Sequence, residues 1–230
     1  MDIRMHTPAG IVSQLMAEIC ALPVRNTPHE RAIRKKYSTI LRNASPEMIY
    51  EVGKLLIHES NLPWLGYELI ASHKTCFNKL GEKELEQLGS GINSWWTVDS
   101  FARTLAGPAW LAGLVSDELI VRWAGSDDRW WRRAALVSTV ALNSRSHAGQ
   151  GDTTRTLHIC QLLVSDHDDM VVKAMSWALR ELVVHDAEAV RTFLHDHAEE
   201  LAARVKREVT YKLVTGLKNH SKLQSNQGAR

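Results

Sequence analysis

The chain has 230 residues, 44% of them hydrophobic and 23% charged, with 28 Lys and Arg against 26 Asp and Glu. That composition is that of an ordinary soluble globular protein, long enough for one sizeable core or one continuous array of helices. No apolar run approaches the roughly 20 residues of a membrane helix, no signal peptide is expected in MDIRMHTPAG, and three scattered cysteines (Cys20, Cys76 and Cys160) point to reduced thiols in a cytoplasmic protein. The charge is uneven. Residues 1–43 hold seven Lys/Arg against three Asp/Glu, and residues 204–230 seven against one, which leaves the middle at a net −8. Basic ends on an acidic body suggest a surface that meets polyanion at particular places, or a solvated helix face and a disordered tail.

The predicted elements are helices throughout, because apolar residues recur at spacings of three and four and no long alternating pattern interrupts them. NTPHERAIRKKY opens with Thr27 as cap, Pro28 at the first helical position and Glu30 at the third. NASPEMIYEVGKLL repeats the device with Ser45 and Pro46. SWWTVDSFA, residues 94–102, reads as a helix with Trp95, Asp99, Ala102 and Ala106 on one face. GSDDRWWRRAALVSTVAL begins after Gly125 with Ser126 or Asp127 as cap. NSRSHAGQGD, residues 143–152, reads as a loop rich in Ser and Gly. SDHDDMVVKAMSWALRELVV and DAEAVRTFLHDHAEELAARVKREVTYKLVTGL continue the helical pattern, and residues 221–230 read as a disordered tail. Helices of about 12 to 18 residues joined by short turns suggest an all-α superhelical array of antiparallel helix pairs, a HEAT-like repeat solenoid. A single domain is expected over residues 1–220.

A lone carboxylate on a largely apolar face is unfavourable unless it is paired, hydrogen-bonded or used, and this makes Asp99 the first candidate. Eight tryptophans are many for this length, and six lie between positions 95 and 131. Packing is their ordinary use. Trp177 is different: Val172, Met175, Leu179 and Leu182 form the buried stripe of its helix, and Trp177 lies off it with Lys173 one turn before and Arg180 one turn after. An indole flanked by two cations on an outward face suits a nucleic-acid backbone. Arg133 sits beside the apolar stripe Trp130, Ala134, Val137 and Ala141. It is open to two readings, a phosphate contact or an internal ladder partner of Asp99. GSG at 89–91 lacks the third glycine and the preceding strand of a dinucleotide loop. His58-Glu59 lacks the second histidine of a zinc-protease helix. HDH at 195–197 and DHDD at 166–169 have no spaced partner ligands, so no metal site is expected.

The ordered runs WWTVDSFA, WWRRAALVS and VVKAMSWALREL resemble the bacterial DNA alkylation repair family, the AlkD-like alkylpurine DNA glycosylases built from HEAT-like repeats. The resemblance spans roughly residues 25–215, with RAIRKKYSTIL and WLGYELIASHK matching more loosely. It implies Asp99, Arg133, Trp95 and Trp177 as catalytic-site residues, and together with the cations that flank Trp177 the expected DNA contacts are Trp95, Arg133, Lys173, Trp177 and Arg180. It also implies excision of cationic N3- or N7-alkylated purines from double-stranded DNA by a monomer, without cofactor or metal. The separation of Arg133 from Trp177 is a few residues longer than the family's, and the Ser/Gly loop would absorb the excess. A non-catalytic HEAT-repeat module that binds DNA structures or a protein partner is the competing expectation.

Overall fold

The computed structural model describes residues 7–217, and within them the chain is all-α, with no strand. The expected tail at 221–230 lies outside the described residues. Two compact units divide between Val115 and Ser116. The first unit holds α1 (Pro8–Cys20), α2 (Thr27–Ile40), α3 (Pro46–Glu59), α4 (Pro63–Ser72), the single turn α5 (Lys74–Phe77), α6 (Glu82–Gly89), α7 (Trp95–Phe101), a π-helical turn (Ala102–Ala106) and α8 (Gly107–Leu111). The second holds α9 (Asp117–Ala124), α10 (Arg129–Asn143), a 3-10 turn (Arg145–His147), α11 (Thr153–Leu162), α12 (Asp169–Leu182), α13 (Ala187–Asp196) and α14 (Ala203–Thr215).

Within each unit, helices two apart in sequence stack on one another. In the first, α1 packs on α3 and α2 on α4; in the second, α10 packs on α12, α12 on α14, and α9 on α11. This is the packing of successive HEAT-like helix pairs, in which each layer buries the apolar stripe of the next. The helices between 74 and 124 are shorter than the sequence reading expects. Gly81, Gly89, Gly91, Gly107-Pro108 and Gly113 interrupt the periodicity there, and each glycine or proline ends or bends a turn at little cost. DAEAVRTFLHDHAEELAARVKREVTYKLVTGL likewise divides, with α13 ending at Asp196 and α14 starting at Ala203.

The two units start their helices with different chemistry. Pro8, Pro28, Pro46 and Pro63 sit in the first turns of α1 to α4. In the second unit, Asp128, Asp152, Asp168 and Asp186 cap α10, α11, α12 and α13, each accepting a backbone N–H of the first turn at 2.8–3.0 Å. Part of the acidic excess in the middle of the sequence is therefore spent on caps, which satisfies orphan donors and helix dipoles. Two expected caps move by one or two residues. Asn26, not Thr27, caps α2 through its Oδ1 to the His29 N–H at 3.0 Å, and Asp128, not Ser126 or Asp127, caps α10. In both cases the neighbouring side chain of similar chemistry is the one that reaches the N2 or N3 amide.

Helices α3 and α4 cross at close range. Gly53 and Gly66 face each other there, and a Cβ on Gly66 would collide with the Gly53 carbonyl oxygen and stand 2.7 Å from Ile57 Cγ1. Helix α4 then packs on α7 and on the π turn. Tyr67 meets Phe101 with ring centroids 5.7 Å apart, and both side chains are buried.

Candidate functional site

The start of α7 is fixed by a small set of hydroxyl bonds. Thr97 Oγ1 accepts from the Ser94 backbone N–H at 3.2 Å and donates to the Ser94 carbonyl at 2.9 Å, while the two hydroxyls lie 2.9 Å apart. Thr97 is itself buried, so the first turn is held from below and its other side is left to solvent. At about 100° per residue, Trp95, Asp99, Arg103 and Trp96 fall in that order within an arc of about 100°. The rest of the circumference holds Thr97, Phe101, Leu105, Val98 and, next to Trp95, Ala102, all buried. Trp95 is 58% and Trp96 41% exposed, which is unusual for indoles. Asp99 between them is half-buried.

The expected common face of Trp95, Asp99, Ala102 and Ala106 thus divides. Trp95 and Asp99 are its accessible part, and Ala102 and Ala106 are fully buried. Immediately after α7 the ladder widens, and the Gly107 N–H bonds to the Ala102 carbonyl five residues back. Pro108 supplies the reason: it has no N–H to give and its ring crowds the carbonyl four residues before it, so the preceding turn opens. Arg103 lies on this turn, exposed, and takes no hydrogen bond or ion pair with any described residue. Trp96 and Arg103 are the residues that the sequence reading passes over. Their positions one helical turn from Asp99 were the available signal.

The second unit holds the other expected site residues. Arg133 is only 5% exposed and donates from Nη1 to the Met170 carbonyl, at the start of α12. The sequence reading places it beside an apolar stripe, but α10 is buried on all sides from Arg133 to Asn143, because α9, α11 and α12 all pack on it. Trp177 is half-buried, and its indole N–H donates to Glu181 Oε1 at 3.0 Å. Lys173 pairs with Asp169 one turn before it. Arg180 departs from its expected outward position. Its side chain is 13% exposed, Nε donates to the Ser176 carbonyl at 3.0 Å, and the guanidinium lies 3.8 Å from Glu208 on α14. The outward trio of Lys173, Trp177 and Arg180 is therefore corrected to one half-exposed cation, one half-buried indole and one inward guanidinium.

At the N-terminus of α10 a second aromatic and basic cluster forms. The Arg129 guanidinium lies 4.8 Å from the Trp130 ring and 3.3 Å from Asp168, and Trp131 meets Trp123 with centroids 4.8 Å apart. Burial pushes the Cys76 thiol up to about 11 and that of Cys160 to about 12, so neither offers a thiolate nucleophile at neutral pH. Among the described residues no helix is long and apolar enough to cross a membrane. Asp99 is the carboxylate that shares a helical arc with the two exposed indoles.

No curated protein matches the chain. The family model described as DNA alkylation repair enzyme matches residues 18–213. That match takes in both units and the segments carrying Trp95, Asp99, Arg133 and Trp177, and the chain belongs to the family of DNA alkylation repair enzymes.

Proposed function

We propose that the protein is a DNA glycosylase that hydrolyses the N-glycosidic bond of cationic N3- or N7-alkylated purines in duplex DNA. The observation that carries this reading is the half-buried Asp99 set between two exposed indoles on one arc of α7, in a chain of a DNA alkylation repair family. Alkylation at N3 or N7 puts a positive charge on the purine and weakens its bond to the sugar, so the leaving base needs no general acid. The transition state needs a negative group beside the deoxyribose, where cationic charge develops, and a water in position to attack C1′. A carboxylate can serve both needs. A preorganised charge of this kind is worth about 2.7–4 kcal/mol where one such group has been removed. The π faces of Trp95 and Trp96 favour a cationic base or sugar. An edge of this kind suits an enzyme that grips the backbone around a lesion rather than one that extrudes the base into a pocket.

Release of 7-methylguanine and 3-methyladenine from methylated duplex DNA tests the reading. Asp99→Asn keeps the size of the side chain and removes its charge. The variant is expected to fold normally by circular dichroism, to bind duplex DNA as before, and to release 7-methylguanine at least about tenfold more slowly in single turnover, a loss of about 1.4 kcal/mol or more. An Asn variant that excises at the wild-type rate removes Asp99 from the chemistry and leaves a DNA-binding module.

A further inference from the structure

We propose that Arg103 is a phosphate-binding residue of this site, and that Trp96 is its aromatic partner on the same strand of duplex DNA. The inference rests on the proposed function for its ligand and on separate observations for its residues. Arg103 follows Asp99 by one turn, is exposed, and has no acidic or carbonyl partner among the described residues. Most other cations in the first unit are neutralised. Arg31 and Arg34 share Glu68 at 2.7 and 2.8 Å, Lys36 meets Glu18 at 2.7 Å, and Lys54 meets Glu51 at 2.7 Å. A lone unpaired guanidinium beside a carboxylate and two exposed indoles has a surplus positive charge directed at solvent. The complementary ligand is an anion large enough to cover the whole arc.

The geometry favours a nucleic-acid backbone over a small anion. Trp95 to Arg103 spans about 12 Å along the axis at 1.5 Å per residue, a length that several nucleotides cover and a single phosphate does not. Indoles take the face of a sugar or base, and a guanidinium takes two oxygens of one phosphate in a forked contact. Placed one turn from Asp99, Arg103 fixes which phosphate lies beside the lesion, and so aligns C1′ with the carboxylate. It also offsets the repulsion between that carboxylate and the backbone. The π turn contributes here because it carries Arg103, exposed, at an opened part of the helix.

The test uses the full chain and unmodified duplex DNA, so that it stands apart from excision. The slope of log affinity against log salt is measured for wild type, Arg103→Gln, Arg103→Lys and Trp96→Ala. Each lost phosphate contact reduces the slope by about 0.9 and weakens binding about eightfold near 0.1 M salt. Arg103→Gln is expected to show that reduction, and Arg103→Lys to retain most of the slope. Trp96→Ala is expected to weaken binding with the slope unchanged, since an indole releases no counterion. In excision assays Arg103→Gln is expected to raise the enzyme concentration needed for half-saturation and also to lower the saturating single-turnover rate, because the phosphate it holds sets C1′ against the carboxylate. An Arg103→Gln protein with the wild-type salt slope overturns the proposal even if wild type excises methylpurines. A reduced slope in a protein that excises nothing upholds the phosphate contact and sinks the glycosylase reading instead.

Discussion

Gly66→Ala is the most informative single-methyl perturbation of the scaffold beneath the site. A Cβ there would lie 2.7 Å from Ile57 Cγ1 and collide with the Gly53 carbonyl, which is backbone and has no rotamer to yield. Relief therefore requires α3 and α4 to separate by most of an ångström. Overpacking of this kind costs about 1–3 kcal/mol, with the upper end apt for a backbone obstacle. Replacing glycine by alanine inside a helix returns about 1 kcal/mol. The net destabilisation is about 2 kcal/mol, which for a chain of this size lowers the thermal midpoint by about 4–8 °C. Gly53→Ala provides the internal comparison. Its Cβ would meet Ile70 Cδ1 and Cγ1 at 2.5 and 2.6 Å, the end of a side chain that can rotate away, so its midpoint should fall by less than half as much. Thermal unfolding by circular dichroism reads both. A Gly66→Ala midpoint at or above wild type, or a Gly53→Ala protein less stable than Gly66→Ala, refutes the reasoning.

Arg133→Ala removes a buried, charge-assisted bond to the Met170 carbonyl; it is expected to cost about 1.5–3 kcal/mol and to lower the thermal midpoint accordingly. A normal midpoint with weakened DNA affinity would instead mark Arg133 as a phosphate contact. Glu208 accepts from the Ser176 hydroxyl at 2.6 Å and from Arg204 at 2.8 Å. Burial raises its pKa, but those bonds outweigh burial and hold it below the usual carboxylate range. A lowered folded-state pKa contributes stability that is complete above the unfolded value of about 4.3 and is lost as pH falls through the folded value. Urea unfolding between pH 6 and 3 should therefore show a shallower acid decline in Glu208→Gln, and an unchanged decline would refute the assignment.

Local rules made much of this molecule legible, and the exceptions have physical causes. The helical class followed from spacing and caps, and the Trp95–Asp99 relation from the helical repeat alone, because both depend on residues within a turn or two. The burial of Arg133 did not, since a helical wheel shows one stripe whereas α10 meets neighbours on every side. Arg180 was misplaced because its partner Glu208 lies on α14, too distant in sequence for any local pattern to indicate. The bond from Trp177 to Glu181 was within reach of the i,i+4 rule. The π turn could also be anticipated, from Pro108 inside a run that otherwise reads as continuous helix.

Asn143 closes the C-terminal end of α10 with every polar group engaged. Its Nδ2 donates to the Thr139 carbonyl and to Thr156 Oγ1 at 3.0 and 2.9 Å, its Oδ1 accepts from the Asp152 N–H at 3.0 Å, and its carbonyl accepts from His185 Nε2 at 2.8 Å. The start of α11 is thereby stapled to the end of α10, and the residues from 144 to 151 hang from that staple as a closed loop. Doubling the length of such a loop adds only about 0.6 kcal/mol of closure entropy. Sequence distance across this junction is consequently decoupled from distance in space, and residues gained or lost there leave the spacing of α10 and α12 untouched. A count of residues between Arg133 and Trp177 is thus no ruler for their separation in space.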